Sequence, residues 1–245
     1  MPARFGSTRM PGKPLVDICG KPMIWWVYQN LKQVDGIQEV YIATDSKEIV
    51  DVCDSLEMKS VLTSQNHPTH LDRLSEFAGI IDADFYININ GDEPLMLPEY
   101  IQPLIPQNED SKQFYAANAM TRIKLAIDIV DVSKIKIVTD VLGFGMYMAR
   151  TPIPYPKGSS DFEYMKFVGI QCFSRDALLF CAKTPRGPLE SIEDINEYRF
   201  LENGKKIKFI ETEAETISVD TKKDVVAVRK EISNRIKNGF MKGVL

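Results

Sequence analysis

Near the start of the chain, Pro2-Ala3-Arg4-Phe5-Gly6-Ser7-Thr8-Arg9-Met10-Pro11-Gly12-Lys13-Pro14-Leu15 sets three cations (Arg4, Arg9, Lys13) beside two hydroxyls (Ser7, Thr8) and two glycines (Gly6, Gly12). Glycine lets backbone N–H groups approach an anion closely. Guanidinium forks grip phosphate oxygens two at a time, and an ammonium acts as a point charge. The loop therefore suits a triphosphate, although a basic surface loop has the same composition. It is not a P-loop, because five residues separate Gly6 from Gly12 and Pro14 stands where that motif needs Ser or Thr. The dinucleotide fingerprint is also missing, which disfavours an NAD-dependent oxidoreductase.

Two further segments carry carboxylates. Asn88-Ile89-Asn90-Gly91-Asp92-Glu93-Pro94 follows a run that reads as a strand, so Asp92 lies at a strand end beside a glycine. That placement suits a hard cation such as Mg2+, which takes one or two carboxylates plus phosphate oxygens; a plain strand-ending turn reads the same way. In Val219-Asp220-Thr221, the Asp-Thr pair precedes a helical stretch and by itself reads as a cap. His67 and His70 lack a nearby third His or Cys and make a poor zinc site. Cys19, Cys53, Cys172 and Cys181 are scattered without a C-x-x-C, as expected of free thiols in the reducing cytoplasm.

The elements that position these residues follow from periodicity. Pro22 to Val34, Ser46 to Leu56 and Leu71 to Asp82 read as helices. They alternate with strands at Glu39 to Thr44, Lys59 to Thr63 and Asp84 to Asn90. This spacing predicts parallel pairing through right-handed crossovers, with ligands beyond the strands' carboxyl ends. From Phe114 to Phe173 the strands follow one another without regular helices, which predicts a mixed or antiparallel lid and dimerisation region. Leu189 to Leu201 reads as one helix, Lys206 to Ile210 as a strand, and Thr221 to Ile236 as a closing helix. The expected class is α/β, Rossmann-like and mostly parallel. We expect one domain over 1–245, with a nucleotide-binding part (1–110), an acceptor-binding and dimerisation part (111–205) and a closing part (206–245).

The string P-A-R-x-x-S-x-R-x-P-G-K-P-L, followed by Gly20-Lys21-Pro22-Met23-Ile24, resembles the opening signature of the CMP-3-deoxy-manno-octulosonate (CMP-Kdo) synthetases, which have the nucleotide-diphospho-sugar transferase fold. The likeness runs through Ala43-Thr44-Asp45, the Lys136 strand, Arg150 with Ile153-Pro154, Pro188-Leu189-Glu190, Ile192-Glu193, Arg199 and Gly204. It implies a homodimer that joins an acidic sugar to CMP from CTP and releases pyrophosphate. It puts Arg4, Ser7, Arg9 and Lys13 on the triphosphate, with Arg4, Lys13 and Asp92 catalytic. It puts His67, Thr69, Asp72 and Arg73 on the nucleotide, from the motif H-x-S-G-T-D/E-R. It gives Mg2+ to Asp92, from N-x-Q-G-D-E-P, and to Asp220, from V-D-T-P-E-D, where Lys222 replaces the Pro.

The acceptor side, which the resemblance assigns to Asn90, Arg150, Phe167, Gln171 and Asn196, departs from the family. Asn90 replaces Gln, Phe167 and Gln171 replace His and Tyr of H-L-G-I-Y, and Asn196 replaces Glu of L-E-Q-L-R. Lost hydrogen-bond partners discriminate strongly between substrates, so these changes suggest an acid other than ordinary Kdo, a modified ulosonate or a phosphonate. His70 and Leu71 likewise replace Gly and Thr on the nucleotide side. A nucleotide-binding protein with weak catalysis is the alternative of a different class. In the family an apolar first strand precedes Pro-Ala-Arg; parallel strands are buried on both faces, so we expect Met1 to occupy an internal position of a longer natural protein. A net charge of −4 leaves no footprint for nucleic acid or anionic membrane. No run approaches the ~18 apolar residues of a membrane span.

Overall fold

The structure is a computed structural model that describes residues 1–6, 10–106, 114–159, 161–214 and 217–239. Strands are β1 (Pro2–Ala3), β2 (Asp17–Ile18), β3 (Lys21–Pro22), β4 (Ile42–Thr44), β5 (Ser60–Leu62), β6 (Phe85–Ile89), β7 (Ala116–Arg122), β8 (Lys136–Thr139), β9 (Gly145–Ala149), β10 (Met165–Ser174) and β11 (Lys208–Glu211). Helices are α1 (Met23–Leu31), α2 (Lys47–Ser55), α3 (His70–Ile80), α4 (Pro98–Ile101), α5 (Ala126–Val130), α6 (Arg175–Lys183), α7 (Pro188–Glu193), α8 (Tyr198–Leu201) and α9 (Lys222–Lys237). The chain divides into two compact units that interleave in sequence. Unit 1 holds Met1–His67, Ile89–Gln102 and Glu215–Leu245; unit 2 holds Pro68–Asn88 and Pro103–Ala214. Residues 68–88, read from sequence with the nucleotide-binding part, thus fall in unit 2.

Unit 1 carries a parallel sheet of order β1-β4-β5, with Pro2 opposite Ala43 and Ala43 opposite Val61. The short strand Ile42-Ala43-Thr44 is wholly buried, which explains its apolar and β-branched run. In α1, Met23, Trp26 and Val27 are buried, and the Trp26 indole N–H donates to the Ile18 carbonyl at 2.7 Å.

Unit 2 is a mixed sheet of order β11-β7-β10-β8-β9, with β6 also paired to β10. The β10–β7, β10–β8 and β8–β9 pairs are antiparallel and β11–β7 is parallel, as the expected mixed region requires. Its core gathers Leu71, Leu74, Phe173, Leu178, Tyr198 and Phe200 among others. One helix was not read from the sequence and one expectation needs correction. Helix α6 follows the run of strands and is capped by Ser174, whose side chain accepts from the Ala177 N–H. The single helix read over Leu189 to Leu201 is two, α7 and α8, because Asp194 turns left-handed at φ 52 and ends the first.

Candidate active site

In unit 1 the glycine-rich loop returns on itself at Gly12, which has φ 68 and donates its N–H to the Phe5 carbonyl at 3.1 Å. A left-handed residue there suits glycine. Lys13 follows at the start of a single 3-10 turn. Its ammonium lies 2.5 Å from Asp92 Oδ2 and 3.2 Å from Asp220 Oδ1. Three segments far apart in sequence therefore converge on one point.

Each carboxylate is fixed by its own backbone. Gly91 is close-packed: a Cβ there would come within 3.3 Å of the Pro2 carbonyl oxygen, so the turn before Asp92 favours a residue without a side chain. The Asp92 carbonyl accepts from the Val219 N–H at 2.9 Å, which ties the two carboxylate-bearing segments together. Capping of α9 falls to Thr221 and Asp224, whose side chains form a reciprocal capping box. Asp224 also accepts from the Asp220 N–H, leaving the Asp220 carboxylate to face Lys13. Side-chain exposures of 14%, 22% and 35% for Lys13, Asp92 and Asp220 keep this cluster open to a ligand. Asp92 Oδ1 is nevertheless buried without a hydrogen-bond partner among the described residues.

The other unit 1 candidates are less gathered. Arg4 is exposed, Asn90 is half-buried with its carbonyl accepting from the Glu93 N–H, and His67 is the last residue of its segment. Asp45, at the end of β4, accepts from the Phe5 N–H at 3.3 Å. Ser7 and Arg9 lie outside the described residues.

In unit 2, Thr69 and Asp72 form the capping box of α3. Asp72 also meets Arg199, which holds Glu190 through two parallel bonds of 2.9 and 2.6 Å. Burial pushes the Asp72 carboxyl up, but hydrogen bonds from Arg199 and Thr69 outweigh it and keep the group below its usual range. Arg73 is buried on the same helix. The Arg150 guanidinium donates to the backbone carbonyls of Glu193, Val132 and Asp194. The Phe167 ring packs against the apolar core. Gln171 accepts from Asn88 and donates to Glu197 at 3.0 Å, and Asn196 meets His70 at 2.7 Å. Glu197 and the Asn196–His70 pair were not read from the sequence as a unit. Glu197 stands one place after Asn196, where L-E-Q-L-R has Gln, so the signal was a carboxylate displaced by one residue.

A family profile described as cytidylyltransferase matches residues 1–207. The 3-deoxy-manno-octulosonate cytidylyltransferase of Escherichia coli is 36% identical over 221 residues, covering 90% of this chain and 89% of that protein. Its counterpart in Trichlorobacter lovleyi is 35% identical over 250 residues, covering 98% of each. A solved CMP:2-keto-3-deoxy-manno-octonic acid synthetase complexed with CTP superposes with a TM-score of 0.89 at 35% identity, covering 96% of this chain and 97% of its own.

Proposed function

The chain belongs to the cytidylyltransferase family, and we propose that it couples CTP to 3-deoxy-manno-octulosonate, forming CMP-Kdo and pyrophosphate. The observation that carries this reading is the convergence of Lys13 with Asp92 and Asp220 beside the glycine-rich loop.

Two carboxylates aimed at one cation, with Asp92 Oδ1 buried and without a partner among the described residues, fit a divalent ion. We assign Mg2+ to Asp92 and Asp220. When bound, it supplies Lewis-acid polarisation of the α-phosphate and lowers the pKa of the attacking hydroxyl. The chain's own residues do the rest. Lys13, on a flexible stem, turns from the carboxylates to the β- and γ-phosphate oxygens. Arg4 and Arg9 hold the same phosphates, and Ser7 hydrogen-bonds to them. The anomeric hydroxyl of the acid then attacks in line while pyrophosphate leaves. Positioning and fixed charge provide the catalysis, without a covalent enzyme intermediate. His67, Thr69, Asp72 and Arg73 shape the nucleotide side, with Thr69 and Asp72 acting through the start of α3. Asn90, Arg150, Phe167, Gln171 and Asn196 belong to the acceptor side.

One observation favours a second reading, a related acid as acceptor. Gln171 is engaged by Asn88 and Glu197, and Phe167 lies against the core, where the family signature has Tyr and His. Pyrophosphate release from CTP and Mg2+ with Kdo, N-acetylneuraminate or 2-aminoethylphosphonate tests both. Release with Kdo supports the first reading; release with another acid alone supports the second. CTP binding without release for any acid overturns both and leaves a nucleotide-binding protein.

Exposed Val130, Val132, Val141, Leu142, Met146 and Tyr155 in unit 2 support assembly as a homodimer, which sedimentation tests. No helix among the described residues is long and apolar enough to cross a membrane. The free thiols support a reducing compartment, the cytoplasm; Cys172 and Cys181 are buried, which pushes both up to about 12.

A further inference from the structure

His70 and Asn196 are not independent departures from the family signature. They are bonded to each other, His70 Nδ1 to Asn196 Nδ2 at 2.7 Å, although 126 positions separate them. Behind them Glu197 Oε1 accepts from Gln171 and lies 4.0 Å from His70 Nε2. Asn88 completes the chain by donating to Gln171. All five residues belong to unit 2. A glycine at position 70 would give Asn196 no side chain to meet, so the exchanges at 70 and 196 answer each other.

The front and back of this cluster differ. Asn88, Gln171 and Glu197 are buried, whereas His70 keeps 24% of its side chain exposed and Asn196 is half-buried. In this half-buried pair, His70 Nε2, which faces Glu197, and Asn196 Oδ1 are buried atoms without a hydrogen-bond partner among the described residues. An amide nitrogen only donates, so Nδ1 accepts and the ring proton sits on Nε2. The pair thus holds one unmet donor and one unmet acceptor, the pattern that a hydroxyl group, itself donor and acceptor, complements. It offers no cation for an anionic group, because Arg199 is held by Glu190 and Asp72. The pair is uncharged at neutral pH: burial pulls His70 down to about 4, against the upward pull of Asp72 and Asp194 and together with a further lowering from Arg199.

We propose that His70, with Asn196 beside it, is a specificity-determining residue that reads a hydroxyl group of the acceptor acid, and that Glu197 and Gln171 are the positioning residues behind it. The inference rests on the acceptor assignment under Proposed function. It makes the unusual residues one rebuilt recognition surface instead of separate losses.

The test compares wild type with His70→Ala, Glu197→Gln, Asn196→Glu, His70→Gly and the paired His70→Gly/Asn196→Glu, using Kdo as acceptor and thermal melts as a check on folding. His70→Ala is expected to raise KM for Kdo roughly tenfold while KM for CTP stays within about twofold, the scale of one lost polar contact. Glu197→Gln, nearly isosteric, is expected to raise KM for Kdo less and to flatten its pH dependence. The paired variant is expected to lose less than the product of its two single changes. KM values for both substrates that move together, or single changes that multiply without coupling, would overturn the proposal. If wild type accepts another acid and not Kdo, the Kdo reading fails alone and the same comparison is read on that acid. No release with any acid, while calorimetry still shows CTP binding, overturns the inference along with the reading.

Discussion

Lys13 between Asp92 and Asp220, and Arg199 between Glu190 and Asp72, are both a basic side chain held by two carboxylates. They differ in depth and in the cation. The Arg199 side chain is 1% exposed and that of Glu190 0%, and the guanidinium fork is matched bidentately. The Lys13 cluster is partly open, its cation is a point charge on a flexible stem, and Asp92 keeps an oxygen without a partner among the described residues. A buried, fully matched cluster cannot release its cation without leaving charges stranded in the interior. An open one can exchange it. The same charge pattern is therefore locked in unit 2 and left exchangeable in unit 1, as the ligand chemistry proposed for unit 1 requires.

Asp92→Asn gives the sharpest test of that contrast. Losing a hard ligand should lower kcat by roughly a thousandfold or more, about 4 kcal/mol in the barrier. The melting temperature should scarcely change, because the cluster is open. Pyrophosphate release and a thermal melt on the same sample check both halves. A large loss of stability would mean that the Lys13 cluster is architectural too.

Arg199→Leu should do the reverse. It removes the bidentate partner of the buried Glu190, leaving it Arg186 at 3.3 Å, and frees Asp72, so stability should fall by about 3 kcal/mol in denaturant titration. Activity per folded molecule should fall far less than for Asp92→Asn. A variant as stable as wild type would show that Glu190 takes up a proton or finds another partner.

The two clusters were also unequally legible. Lys13, Asp92 and Asp220 sit in short motifs at strand ends and before a helix, and local pattern plus resemblance was enough to assemble them. Asp72 sits in a motif as well, but its partner Arg199 lies 127 residues away. Nothing local says that this carboxylate faces inward to a guanidinium. The division of the helix at Asp194 was hidden for a related reason: apolar residues continue at helical spacing across a left-handed break. Helix α6 did leave a signal, a Ser cap followed by Asp and an apolar face, which the run of neighbouring strands obscured.

The buried polar chain of unit 2 predicts opposing pH effects on stability. Burial pushes Glu197 up to about 7 from an ordinary 4.5, with Glu190 raising it further and its hydrogen bond from Gln171 opposing the rise. Its folded form binds the proton more tightly, so its contribution falls as pH rises from about 4.5 to about 7. His70 is pulled down to about 4 from 6.5, so its contribution rises with pH across about 4 to 6.5. Glu197 and Arg199, beside Asp72 and Asp194, are the charged groups facing that ring. The two slopes oppose each other in wild type. Glu197→Gln should leave the rise and His70→Gln the fall, each at about 1.4 kcal/mol per pH unit and no more than about 3 kcal/mol in all. Denaturant midpoints from pH 4.5 to 6.5 check this; parallel curves for both variants would mean that neither group changes its proton affinity on folding.

The smallest expected effect separates neighbours within the Asp220 segment. Thr221 caps α9: its hydroxyl accepts from the Asp224 N–H and donates to the Asp224 carboxylate, which also accepts from the N–H groups of Thr221 and Asp220. Asp220 contributes only its N–H to that arrangement, while its carboxylate faces Lys13. Removing a cap hydroxyl costs about 1 kcal/mol of stability. Thr221→Ala should therefore lower the denaturant midpoint slightly and leave kcat near wild type. Asp220→Asn keeps the N–H and the cap, so it should keep the midpoint and lose turnover, most severely at limiting Mg2+. Parallel denaturation and Mg2+ titrations of the two variants decide the assignment. If Asp220→Asn retains full activity at limiting Mg2+, its carboxylate has no part in metal binding, and the segment is only the beginning of a helix.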